Sequence, residues 1–157
     1  MTAIADLQAL AAAVAPGRRL LALDLGEKTI GMAISDAGLT IASSIGTIQR
    51  RKFTLDAQEL LRIVDERGIG GLVIGLPVNM NGSEGPRCQS VRQFAANLRE
   101  IRAIPVAFWD ERLSTAAVER AMIAADLSRK KRKKAVDTAA AAFILQGALD
   151  ALAFARR

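Results

Sequence analysis

The chain has 157 residues, 51% of them hydrophobic, with 22 Lys and Arg against 16 Asp and Glu for a net charge of +6. That length suits one domain burying roughly 70% of its unfolded surface, and no apolar run approaches the ~20 residues of a membrane span. With no histidine and one cysteine, Cys88, the composition excludes Ser–His and Cys–His nucleophile pairs, imidazole zinc sites and an internal disulfide.

Residues 1–15 are apolar but lack a positively charged leading segment, so a signal peptide is not expected and the lone thiol suits a reducing cytosol. Leucines at positions 7 and 10 in an Ala-rich stretch predict a short helix over 3–14, ended by Pro16-Gly17. Residues 19–25 and 30–35 read as strands joined by a Gly-Glu-Lys-Thr turn. Asp24 sits at the end of the first strand, where an unpartnered carboxylate is costly to bury, and Gly26 lets the backbone approach a ligand closely. A third strand is expected from Thr40 to Ile48, weakened by Gly46.

From Leu55 the apolar spacing is helical until Gly68, and Leu72-Val73-Ile74 reads as a strand buried on both faces. A Gly-, Asn- and Pro-rich loop over 75–87 leads into a helix with Val91, Phe94, Ala95 and Leu98 on one side. A fifth strand, Ile104 to Trp109, ends at Asp110-Glu111. Ser114 or Thr115 caps the next helix. The run Arg129-Lys130-Lys131-Arg132-Lys133-Lys134 is expected as a loop before a final Ala-rich helix from about Val136 to Ala153. A leading hairpin followed by strand–helix alternation predicts an α/β fold, a mixed five-stranded sheet with helices on both faces.

Chemistry can sit where acids end strands or open helices: Asp24, Asp110-Glu111 and Asp137. Carboxylates brought together repel, so their convergence makes sense around divalent cations, which need no histidine. Each acid also has a structural reading: Asp24 paired with an arginine, Asp110 and Glu111 as surface acids, Asp137 as a helix-start residue. The six-residue basic run accounts for the whole net charge. It suits a polyanion, although a solvated loop is the plain alternative. Asn79, Ser83 and Arg87 in the 75–87 loop are candidates for a sugar–phosphate backbone; Trp109 and Phe94 are expected in the core.

Four segments together resemble the successive motifs of the YqgF/RuvX-type family: Leu23 to Gly31, Gly75 to Gly82, Asp110 to Thr115, and Asp137 to Gln146. This family is named both for pre-16S rRNA nuclease activity and as Holliday-junction-resolvase-like. The likeness runs from about residue 18 to 150. It implies an RNase H-like domain over 18–157, preceded by an N-terminal helical extension over 1–17. It further implies Mg2+- or Mn2+-dependent phosphodiester hydrolysis, with Asp24, Glu111 and Asp137 as catalytic metal ligands. Lys28, Asn79, Arg87, Arg112 and the run from Arg129 to Lys134 would contact nucleic acid. The expected setting is cytoplasmic 5′-end maturation of pre-16S rRNA, with structured RNA as substrate, a ribosomal partner and no membrane.

The chain also departs from the related resolvases. Gly75-Leu76-Pro77 stands where they carry an acid after the fourth strand, and no further acid follows Asp137 closely. Alternatives are therefore a catalytically weak nucleic-acid-binding protein, a resolvase acting on branched DNA, or an ATP-binding phosphotransferase that shares the first Asp-Leu-Gly turn.

Overall fold

Seven consecutive residues, Arg19–Leu25, form strand β1, and their side chains divide between two cores. The computed structural model describes residues 3–113 and 129–155, with side chains described over 6–113 and 139–155. β1 is followed by β2 (Thr29–Ser35), β3 (Ala42–Gln49), β4 (Ile69–Leu76) and β5 (Val106–Asp110). The sheet order is β3-β2-β1-β4-β5. The β1–β2 and β2–β3 pairs are antiparallel, while β1–β4 and β4–β5 are parallel. The described helices are α1 (Ala3–Ala13), α2 (Phe53–Arg67), α3 (Pro86–Ile101) and α4 (Arg129–Ala155).

Side chains alternate across a strand, so each strand feeds both faces. Leu21, Leu23 and Leu25 of β1, with Leu72, Ile74 and Leu76 of β4, pack beneath α2 and α3 against Leu60, Val64, Val91, Phe94 and Leu98. Leu20 and Ala22 of β1, Val73 of β4, and Ala107 and Trp109 of β5 pack on the opposite face. There they meet Leu7 and Leu10 of α1 and Ile144, Leu145 and Leu149 of α4. Near-continuous burial of β1 and β4 follows from helices covering both faces.

The expected mixed sheet is present, with two local differences. Gly46 does not interrupt β3: it adopts φ +107° at a bulge, where the register shifts between Met32 and Ala33. Glycine tolerates that backbone at no steric cost. The final helix starts no later than Arg129, so the basic run from Arg129 to Lys134 is helical rather than a loop. Lys and Arg are good helix formers, and neither Gly nor Pro separates them from the alanines that follow. The helix predicted to start at Ser114 or Thr115 lies outside the described residues.

α4 is seated closely. A Cβ at Gly147 would come 3.2 Å from the Trp109 ring. Trp109 is accordingly buried core. One residue earlier in α4, the Gln146 amide accepts the Ala42 N–H at 2.9 Å and donates to the Thr40 carbonyl at 3.0 Å, tying the helix to β3.

Candidate functional site

Three strand ends on the α4 face define the site. In β1, Leu20 and Ala22 point into the core beneath α1 and α4, so the period of two sends Asp24 to the same side. In β5, Ala107 and Trp109 point there, and Glu111 continues the series one residue past the strand. Asp110 falls on the opposite parity. β4 lies between β1 and β5, and Gly75 occupies the corresponding position, since Leu23 pairs with Ile74 and Gly75 pairs with Trp109.

β1 and β5 are not neighbours, so their side chains start roughly 9–10 Å apart, two inter-strand spacings. Gly75 clears the space between. A Cβ there would stand 2.7 Å from Glu111 Oε1, 3.0 Å from Glu111 Cγ and 2.7 Å from Ile144 Cδ1. The Glu111 backbone is held by its N–H donating to the Leu76 carbonyl at 3.1 Å. From that anchor its side chain crosses above Gly75 and hydrogen-bonds with Asp24. Both carboxyls are half-buried.

Burial pushes the Glu111 carboxyl up, and the Asp24 charge and hydrogen bond push it further, from the ordinary 4.5 to about 7. The Arg87 guanidinium at the start of α3 opposes this shift, and Asp110 adds slightly to it. Acids elsewhere behave oppositely. Arg102 holds Asp65 low and Arg92 holds Glu84 low; Asp36, ringed by the Thr40 and Ile41 N–H groups and the Thr40 hydroxyl, lies at about 2. Two carboxyls sharing a proton are a donor set that a hard divalent cation can take over, since it supplies the charge that the pair lacks. Among the described residues no third His, Cys, Asp or Glu completes a metal cluster.

The remaining candidates fall around this pair in different ways. Arg112 is already engaged: its guanidinium forks onto Asp110 at 2.6–3.1 Å, and its Nη1 donates to the Met80 carbonyl at 3.2 Å. It thereby ties the 75–87 loop to the end of β5. Asn79 is exposed and folds that loop, its amide donating to Ser83 Oγ at 3.1 Å and its N–H to the Ser83 carbonyl at 2.9 Å. Arg87 is exposed and faces Glu111 electrostatically, and Lys28 is exposed in the β1–β2 turn.

The Asp137 backbone lies inside α4, eight residues after Arg129 and two helical turns before Ile144. A helix-start role is therefore ruled out for Asp137. Its side chain and those from Arg129 to Lys134 lie outside the described residues.

Sequence reading missed two residues. Gly75 looked like the loss of an acid; the strand parities and the sheet order together reveal it as the space that Glu111 fills. Arg50 gave no sequence signal, yet its Nη1 donates to the Gly26 carbonyl at 2.6 Å, beside Asp24.

Comparison with known proteins gives a consistent picture. A family model described as "RuvX: Holliday junction resolvase" matches residues 18–151. A Paramagnetospirillum magneticum protein named "Putative pre-16S rRNA nuclease" is 61% identical over 141 residues, covering 90% of this chain and 91% of its own. A Rhodospirillum rubrum protein of the same name is 61% identical over 150 residues, covering 95% of this chain and 93% of its own. The fold is similar to that of the yeast mitochondrial Holliday junction resolvase Ydc2, with TM-score 0.54, 13% identity, and 94% of this chain and 84% of that one covered. It is also similar to Thermus thermophilus RuvC, solved with a Holliday junction substrate, with TM-score 0.51, 12% identity, and 88% and 95% covered. These likenesses establish the RNase H-like architecture.

Two expectations test the pair. A carboxyl raised from 4.5 to about 7 favours the folded state below pH 4.5 and loses that advantage as pH rises through 7. In EDTA, Glu111→Gln should therefore match the parent near pH 4 and exceed it above pH 7 by on the order of 2–3 kcal/mol. Urea midpoints across pH measure this, and a pH-independent difference contradicts it. Gly75→Ala meets side chains and no backbone, so it should lower stability by about 1 kcal/mol, while displacement of Glu111 lowers nuclease turnover by roughly 100-fold. Comparable losses in stability and turnover would deny Gly75 its spacing role.

Proposed function

Because the chain belongs to the RuvX family, we propose that it is a metal-dependent endonuclease that hydrolyses phosphodiester bonds in structured RNA, acting in 5′-end maturation of pre-16S rRNA. The observation that carries this reading is the Asp24–Glu111 contact at the C-terminal ends of β1 and β5. Asp24, Glu111 and Asp137 serve as the ligands of Mg2+ or Mn2+. When bound, such ions activate a water and stabilise the leaving oxygen of the phosphodiester.

The chain's own groups then have defined tasks. With a cation present, Asp24 and Glu111 would release their shared proton to water and hold the ion through their oxygens. Arg87, already facing the pair, attracts the phosphate and offsets the acids while the site is empty of substrate. Lys28 and the run from Arg129 to Lys134 neutralise flanking phosphates, with Asn79 folding the 75–87 loop and Arg112 holding it against β5. Among the described residues no helix is long and apolar enough to cross a membrane. A cytoplasmic location and a ribosomal partner accord with rRNA maturation.

The stretch Gly75-Leu76-Pro77, standing where resolvases carry an acid after the fourth strand, favours this reading over junction cleavage. A second reading, nucleic-acid binding without turnover, keeps the basic run and leaves the acids idle.

Purified protein with Mn2+ should cleave a pre-16S rRNA 5′ leader, and Asp24→Asn should lower the rate at least 100-fold with binding retained. Equal rates for variant and parent would assign the activity elsewhere. Mn2+ should also raise the parent's Tm and leave that of Asp24→Asn unmoved. Replacing Lys130, Lys131, Lys133 and Lys134 by Gln should weaken RNA binding and reduce the slope of log K against log salt by several units. An unchanged slope would remove this run from the interface.

A further inference from the structure

Next to the carboxylate pair, on the α3 side of β1, lies a cavity of about 230 Å³ lined by Leu25, Gly26, Glu27, Arg50, Arg87, Ser90 and Val91. Its volume is below the ~300–1,000 Å³ that encloses a whole drug-sized ligand. It therefore suits a sugar–phosphate segment better than a complete nucleotide. We propose that this cavity takes one ribose–phosphate unit of the substrate strand adjacent to the cleaved bond, and that Glu27 distinguishes RNA from DNA by accepting a hydrogen bond from the 2′-hydroxyl. The inference rests on the nucleic-acid-cleaving reading of the neighbouring acids.

The lining divides by chemistry. Arg50 is fixed in place: its N–H donates to the Lys28 carbonyl at 2.8 Å, its Nη1 donates to the Gly26 carbonyl at 2.6 Å, and its guanidinium carbon stands 5.7 Å from the Phe94 ring centroid. A guanidinium carries five N–H donors, so several remain for phosphate oxygens. Arg87 lines the same cavity and also faces Glu111, so a strand that reaches the acids passes both guanidiniums. Leu25 and Val91 are buried and supply an apolar floor for the sugar face.

Glu27 is the exception in an otherwise anion-attracting lining. It is exposed in the β1–β2 turn and forms no ion pair with the described residues. A carboxylate there repels phosphate and lowers affinity for any polyanion. It gains affinity only by accepting a hydrogen bond from the ligand, and along a nucleic-acid backbone the 2′-hydroxyl is the donor available. That hydroxyl is also the group by which RNA differs from DNA at a single site. Ser90, at the other side of the cavity, can donate to a sugar or phosphate oxygen.

The experiment uses the full chain carrying Asp24→Asn, in EDTA, so that neither cleavage nor metal binding contributes. Fluorescence anisotropy measures binding of a short uridine-rich RNA strand and of the deoxyuridine DNA of identical sequence. RNA should bind about tenfold more tightly than DNA, the low end of what one hydrogen bond to a charged group contributes, as suits an exposed site. Adding Glu27→Ala should weaken RNA binding and abolish the preference, whereas Arg50→Ala and Arg87→Ala should weaken RNA and DNA alike. If Glu27 merely repels phosphate, its removal tightens both strands equally, and the assignment is overturned. Equal binding of RNA and DNA by the parent, or no binding of either, also overturns it.

Cleavage by the parent with Mn2+ is scored separately. A cleaving enzyme indifferent to Glu27→Ala keeps the nuclease reading and loses this one. A non-cleaving protein with a Glu27-dependent RNA preference does the reverse.

Discussion

Two carboxyls in contact above a glycine are the constraint on which the functional end of this molecule depends. Asp24 and Glu111 come from strands that do not touch, and only the missing side chain of Gly75 lets one reach the other. The arrangement is unfavourable on its own, because burial and mutual repulsion both resist ionisation of Glu111. The protein tolerates it because the two apolar clusters beneath it hold the strand ends in place. Packing on both faces of β1 and β4 keeps the two carboxyls together, and a shared proton relieves their repulsion.

The sheet's connectivity explains why these ends are available. β1, β4 and β5 are parallel, so their C-terminal ends open at one edge, where α/β sheets commonly bind ligands. The antiparallel β2 returns beside β1 and places the Gly26–Lys28 turn at that same edge. α4 closes the face on which Asp24 and Glu111 lie, and α3 begins beside them with Arg87. The proton-sharing acid pair, the guanidinium and the adjoining cavity are thus products of strand polarity and side-chain parity.

Much of the fold was legible in the sequence. The apolar run at 19–25 marked a buried strand, 72–74 marked a strand buried on both faces, and helical spacing after Leu55 and around Val91 marked α2 and α3. The start of α4 was not legible, because six consecutive cations carry no apolar periodicity and look like a solvated loop. At the site, Asp24 was visible as an acid ending a buried strand. Choosing Glu111 over Asp110 rested on family likeness. In the structure parity separates the two: Glu111 follows Trp109 onto the α4 face beside Asp24, while Asp110 turns to Arg112. Gly75 could not be read in advance, since its role appears only once β4 is known to lie between β1 and β5.

The length of Glu111 then becomes intelligible. An acid on β4 would sit directly beside Asp24 and could be short. An acid from β5 must pass over an entire strand, and the second methylene of glutamate supplies reach that aspartate lacks. The extra rotatable bond carries an entropic cost on ordering. Ile144 of α4 borders the same space, its Cδ1 lying 2.7 Å from where a Gly75 Cβ would stand, as the Glu111 oxygen does. Glycine, glutamate and isoleucine therefore act as one unit. Enlarging the first displaces the carboxyl, shortening the second withdraws it, and trimming the third opens space beside it, so each change loosens the contact with Asp24.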